Sequence, residues 1–181
     1  MFRRNRPAMQ NNVFSASQIE VLAKANQLVS TNDPANAAPL YTELARELDS
    51  SRPRAAANLH ARAAHAYADS SNEPLALAQA RTALTLFIQY RMINRTPVFF
   101  ANITRKLNNK GMKNSANALL NEFGNRVGTL PPQAAQGSAN RGTLPTNCPK
   151  CGAPVHSDEA AWIDNQTAEC DYCGASIRTM N

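Results

Sequence analysis

Four cysteines, the only ones in 181 residues, stand in two pairs near the end of the chain. Cys148-Pro149-Lys150-Cys151-Gly152 is answered by Cys170-Asp171-Tyr172-Cys173-Gly174, with eighteen residues between Cys151 and Cys170. Each Cys-x-x-Cys is closed by glycine, a spacing that turns two thiolates toward one ion. Together Cys148, Cys151, Cys170 and Cys173 fill a tetrahedral coordination sphere, which predicts one structural Zn²⁺ rather than a hydrolytic zinc with a position open to water. His156 is close in sequence but is not needed as a ligand. Iron also accepts four thiolates, yet nothing else in the chain suggests an electron partner. No thiol remains for a disulfide or for catalysis.

The net charge of +6 is unevenly placed. Residues 1–127 hold sixteen Lys and Arg against eight Asp and Glu, whereas residues 148–181 hold two against five. Four thiolates around Zn²⁺ make the second segment more negative still. It lacks the means to grip phosphates, which call for Lys and Arg on one face.

The elements that must carry these cysteines differ along the chain. The first 110 residues contain no glycine. Proline punctuates them at Pro34, Pro53, Pro74 and Pro97, each preceded by a candidate capping side chain, as expected where helices begin. Ser17 and Glu20 suit a capping box. Apolar residues then recur at helical spacing in six stretches, including Ile19, Leu22 and Val29 in the first and Leu119, Leu120 and Phe123 in the last. Pro39 is awkward inside the second stretch and is a candidate for its true start. This predicts a mainly α chain of antiparallel helical hairpins over residues 15–127. A disordered basic tail is expected over 1–14, a flexible linker over 128–146 and a small β module over 147–181. Gly128-Thr129-Leu130-Pro131 recurs in the linker as Gly142-Thr143-Leu144-Pro145, which composition alone can produce.

The helices look paired at intervals of about 40 residues, with small residues such as Ala80 and Ala116 where helices would cross and Tyr67 or Leu107 at the corners. In this respect residues 15–127 resemble tetratricopeptide repeats, although the family's Trp, Leu-Gly and closing Pro are missing. A six-helix bundle would give the same pattern.

Between and after the cysteine pairs, Ala153–His156, Trp162–Asp164, Thr167–Glu169 and Ala175–Arg178 are strand candidates around a turn at Asp164-Asn165-Gln166. The segment is too small to fold on apolar burial alone, so the metal must supply most of its stability. It resembles a zinc ribbon with both knuckles intact, and the residues around Trp162 and Thr167–Cys170 are similar to ribbons appended to bacterial proteins. The resemblance implies the fold and the metal without choosing between nucleic-acid binding, protein binding and a purely structural role.

No phosphate loop, carboxylate pair or nucleophile motif is present, so an enzyme is not expected. No apolar stretch is long enough to span a membrane. Metal-bound thiols and a basic N-terminus without an apolar h-region lead us to expect a cytoplasmic protein. The expectation is a protein-interaction adaptor. Its candidate contacts are Arg62, His65, Arg105, Lys106 and Trp162, with an acidic protein as one kind of partner. A nucleic-acid-binding or transcription-associated protein is the alternative, favoured by the basic helical region. Arg91, Arg95, Arg105, Lys106, Lys110, Lys113 and Arg126 face only Glu122 over residues 91–127, so whether they gather on one face decides between the readings.

Overall fold

A computed structural model describes residues 13–128, 141–155, 157 and 160–180. Most of the expected basic tail, the centre of the expected linker and His156 lie outside the described residues. Six helices come first: α1 (Ala16–Ser30), α2 (Pro34–Leu48), α3 (Pro53–Asp69), α4 (Glu73–Gln89), α5 (Arg95–Asn109) and α6 (Lys113–Gly128). A three-stranded antiparallel sheet follows, with β1 (Ala161–Trp162), β2 (Thr167–Glu169) and β3 (Ser176–Arg178) in that order. Trp162 pairs with Ala168, and Ala168 with Ile177.

Local chemistry sets the helix boundaries. Pro34 and Pro53 open α2 and α3, and Asp33 and Asn72 cap α2 and α4 by accepting from the N–H groups of Asn36 and Leu75. The capping box belongs to Ser15 and Gln18 rather than Ser17 and Glu20. Two registers satisfied the motif, and the one chosen follows Phe14, which is buried at the helix entry. Pro39 lies inside α2 and does not start it. It sits on the exposed face, where water can satisfy the carbonyl that a proline leaves unbonded. Helix α5 starts at Arg95, ahead of Pro97, and Thr96 bonds back to the Met92 carbonyl instead of capping.

The turns explain how a glycine-free stretch reverses direction. Asn32, Ser71 and Arg91 all have positive φ, at 61°, 61° and 51°, and Gly111 takes the equivalent place at 80°. Each is flanked by the same bond pair; at the first, Asn32 N–H donates to the Val29 carbonyl and Asp33 N–H to that of Leu28. These are Schellman caps, which normally use glycine. Residues 32, 71, 91 and 111 occupy the turns α1–α2, α3–α4, α4–α5 and α5–α6, so the conformation recurs at adjacent turns and does not single out an interval of about 40 residues.

Helix α3 is the hub, packing chiefly on α2 and α4. Alanine lets its neighbours approach closely, and Ala55, Ala56, Ala57, Ala61, Ala63 and Ala64 are all buried. Leu22, Leu59, Leu84, Phe87, Ile103, Leu107, Leu119 and Phe123 fill the space between helices. Ile19, Val29 and Leu120, expected inward, are among the exposed apolar residues.

The last part of the expected linker is structured. Thr143 forms a bridge with Met180, Val155 N–H donates to the Thr146 carbonyl, and Leu144 is buried. Gly142 approaches Thr179 so closely that a Cβ there would lie 2.7 Å from the Thr179 Cβ. The second Gly-Thr-Leu-Pro is thus an edge of the C-terminal module, whereas Gly128 of the first ends α6.

Candidate functional site

The two Cys-x-x-Cys segments fold alike. In the first, Cys148 N–H donates to the Ala153 carbonyl and Gly152 N–H to that of Cys148; in the second, Cys170 donates to Ala175 and Gly174 to Cys170. Gly152 and Gly174 share φ 71°, a conformation that glycine adopts at little cost. Lys150 N–H and Tyr172 N–H point at the sulfurs of Cys148 and Cys170, 3.4 and 3.5 Å away.

All four sulfurs lie within 4.8 Å of one another and all four residues are buried. Cys148 Sγ is 3.8 Å from Cys173 Sγ, and Cys151 Sγ is 3.8 Å from Cys170 Sγ. A tetrahedron with metal–sulfur bonds of about 2.3 Å has an edge of about 3.8 Å. The donor set is therefore positioned to bind a metal ion. Hydrogen bonding among the sulfurs splits the thiols: Cys151 foremost drives Cys148 down, and Cys148 foremost drives Cys173 up. A divalent cation removes that conflict by stabilising every thiolate.

The second knuckle is also the face by which the module meets the helices. Asp171, between two of the four cysteines, receives Arg62 of α3 at 3.0 Å on one oxygen and Arg95 of α5 on the other. Tyr172 lies under the Arg62 guanidinium, 4.5 Å from its ring centre, and its hydroxyl donates to Asn26 Oδ1 at 2.9 Å. Tyr41 donates to the same oxygen at 2.6 Å. Burial first, and Tyr172 next, push the Tyr41 hydroxyl above its ordinary range, so it remains a donor. Asn58, fully buried, lies near Gly174. Arg54, Asn58, Arg62 and His65 follow one another at helical spacing along α3. That polar stripe on an alanine-rich helix was the overlooked sign that a polar body packs there.

The module is thus docked on the helices and does not merely hang from a tether, as the expected linker implied. The charge asymmetry has its physical explanation here: acidic Asp171 meets basic Arg62 and Arg95. Buried Glu169 has its carboxyl pKa raised by desolvation, which Arg54 and Arg95 partly oppose.

Beside the docked knuckle runs a groove of about 890 Å³, with walls from α1, α2, α3 and α5 and with Tyr172 and Pro154 of the module in its lining. Of the five residues singled out as partner contacts, Arg62, His65, Arg105 and Lys106 line it. Arg62 is already engaged by Asp171 and Tyr172. His65 is half-buried against the edge of Phe99, with ring centres 5.4 Å apart. Lys106 bonds Asp69 at 2.6 Å, and Arg105 is exposed beside Asn102. Trp162 does not join them: it is buried in the module, donating to the Ser157 carbonyl under the Arg141 guanidinium. The basic residues of 91–127 divide likewise. Arg95, Arg105, Lys106 and Lys110 line the groove, whereas Arg91, Lys113 and Arg126 do not.

No protein-family model, curated protein or solved structure matches this chain. The likeness to tetratricopeptide repeats therefore has no support from known families.

Proposed function

We propose that this chain is a non-enzymatic interaction adaptor in which a C-terminal zinc ribbon, held together by one structural Zn²⁺, completes a binding groove on an array of helical hairpins. The groove itself carries the reading, because four helices and the ribbon contribute side chains to one concave surface. Zinc suits four buried thiolates at tetrahedral spacing, with no position left for water. Its role is to hold Cys170 and Cys173 so that Asp171 and Tyr172, between them, stay seated on Arg62, Arg95 and Asn26. The helices supply the variable contacts and the ribbon fixes one end of the groove.

Metal analysis and cross-linking test this reading. The purified protein is expected to carry one zinc per chain, and cobalt exchanged into it should give the absorption of a tetrahedral thiolate site; iron–sulfur absorption would exclude zinc. A photo-reactive residue at Val29, exposed in the groove, should join a discrete protein in a lysate of the source cell. The same residue at Leu75, exposed on α4 outside the groove, should not. Equal labelling from both positions would remove the groove from the proposal.

A further inference from the structure

We propose that the groove binds an acidic, extended peptide segment, with its carboxylates on Arg105, Lys106 and Lys110 and its backbone carbonyls on Asn26 and Asn102. This deepens the adaptor reading and rests on it.

The lining is rich in donors and poor in acceptors. Among the described residues, five Lys and Arg side chains line the groove and Asp69 is its one acid. Asp171 answers Arg62 and Arg95 at the ribbon end. At the other end, Lys106 and Lys110 both turn to Asp69, at 2.6 and 3.7 Å, and Arg105 adds a third cation. Two positive charges are left over there. The amides point to the same ligand chemistry. Asn26 Oδ1 accepts from Tyr41 and Tyr172, and Asn102 Oδ1 accepts from Arg105. Their remaining capacity is therefore to donate. A surface of ammonium, guanidinium and amide N–H groups matches carboxylates and peptide carbonyls.

A phosphate chain would satisfy the same donors, so the aromatics decide the class. Single-stranded nucleic acids gain much of their affinity by stacking bases on aromatic faces. Tyr41, Phe99 and Tyr172, the phenylalanine and tyrosines of the lining among the described residues, are each 2 % exposed, and the half-buried His65 ring packs edge-on against Phe99. Arg62 covers the Tyr172 ring, and Phe99 is flanked by His65 and Phe87. None offers a base an open face. The volume is that of a site for a short segment rather than a folded surface.

His65 provides an internal reporter. Its Nδ1 is buried without a hydrogen-bond partner among the described residues. Burial, then Lys106, Arg62 and Arg95, hold its pKa well below the ordinary value. A carboxylate entering the groove opposes those three cations and moves the pKa upward.

The test uses the full zinc-loaded chain and three labelled probes: a short peptide alternating glutamate and glycine, its glutamine counterpart, and an oligothymidylate of matched charge. The glutamate peptide is expected to bind at least about tenfold more tightly than the glutamine one, to shift the His65 ring resonances and to raise the His65 pKa. Arg105→Glu combined with Lys110→Glu, both at exposed positions, should erase that difference. Asp69→Asn, which releases Lys106 and Lys110, should strengthen glutamate binding, a gain that misfolding cannot mimic. Equal binding of the glutamine peptide would overturn the carboxylate assignment while leaving the groove as an interaction surface. Binding of neither peptide would overturn both readings. Tighter binding of the oligonucleotide, sensitive to the same substitutions, would replace the peptide with nucleic acid.

Discussion

Asp171 lies 3.0 Å from Arg62, joining the second cysteine knuckle to helix α3 across 109 positions of sequence. Asp171 is 5 % exposed and its other partner, Arg95, is 7 % exposed. Asp171→Asn would leave two guanidinium groups beside a neutral amide. Removing one member of a buried ion pair costs about 3–5 kcal/mol, and the more accessible Arg62 argues for the lower figure. Urea denaturation followed by circular dichroism measures it. A loss below about 1 kcal/mol, typical of exposed pairs, would show that water screens the contact.

The same contact makes the helices responsive to metal. Sequence alone suggests that chelation unfolds the ribbon and spares the helices. The docked knuckle predicts that chelation, or Cys170→Ser, also lowers the melting temperature of the helical signal. If the effect matches loss of Asp171, the shift is roughly 6–12 °C for a chain of this size. A helical transition indifferent to chelator would mean that the interface contributes little.

The turns make a prediction of opposite sign. Ser71 and Arg91 hold left-handed conformations that cost L-residues about 1–2 kcal/mol. Ser71→Gly and Arg91→Gly relieve this, offset by the greater freedom glycine gives the unfolded chain, for a net gain of about 0.5 kcal/mol each. Gly111→Ala should lose about 1 kcal/mol, although nothing lies within 4 Å of the added carbon. Equilibrium unfolding of the three variants tests both signs, and a destabilised Ser71→Gly would contradict the account.

His65 sets a pH dependence. Its pKa is depressed in the folded protein by burial and by the cations Lys106, Arg62 and Arg95. The unfolded chain takes up that proton near an ordinary pKa of about 6.5, which the folded chain resists. Stability is therefore unaffected by this group above that pH. It falls as pH drops below it, by at most about 1.4 kcal/mol per pH unit. His65→Gln should remove this part of the slope. In the folded protein, NMR titration of the His65 ring should show no inflection near the ordinary value.

What the sequence disclosed and what it hid follow from the range of the forces involved. The cysteine spacing and Gly152 and Gly174 encode the knuckles locally, and proline marks α2 and α3, so metal donors and most helices were legible. The Ser15 box was missed because two overlapping registers met the same rule. The inward side of α1 was misread because Ile19 and Val29 are apolar yet exposed. Docking was invisible because no periodicity links Arg62 to Asp171 or Asn26 to Tyr172. Its traces were indirect: an acidic module behind a basic helical region, and a polar stripe on an alanine-rich helix. The groove needed four helices in place at once, which no local pattern can specify.

The two knuckles share a backbone shape but not an environment. Pro149 and Lys150 of the first are exposed, whereas Asp171 and Tyr172 of the second are buried against the helices. The helical array therefore meets the two halves of the cysteine cluster unequally. Asp171 and Tyr172 tie the second knuckle to α1, α3 and α5 through Asn26, Arg62 and Arg95, while Pro149 and Lys150 of the first face solvent. A cluster of four sulfurs that looks symmetric is thus joined to the helices through the two residues enclosed by its second Cys-x-x-Cys.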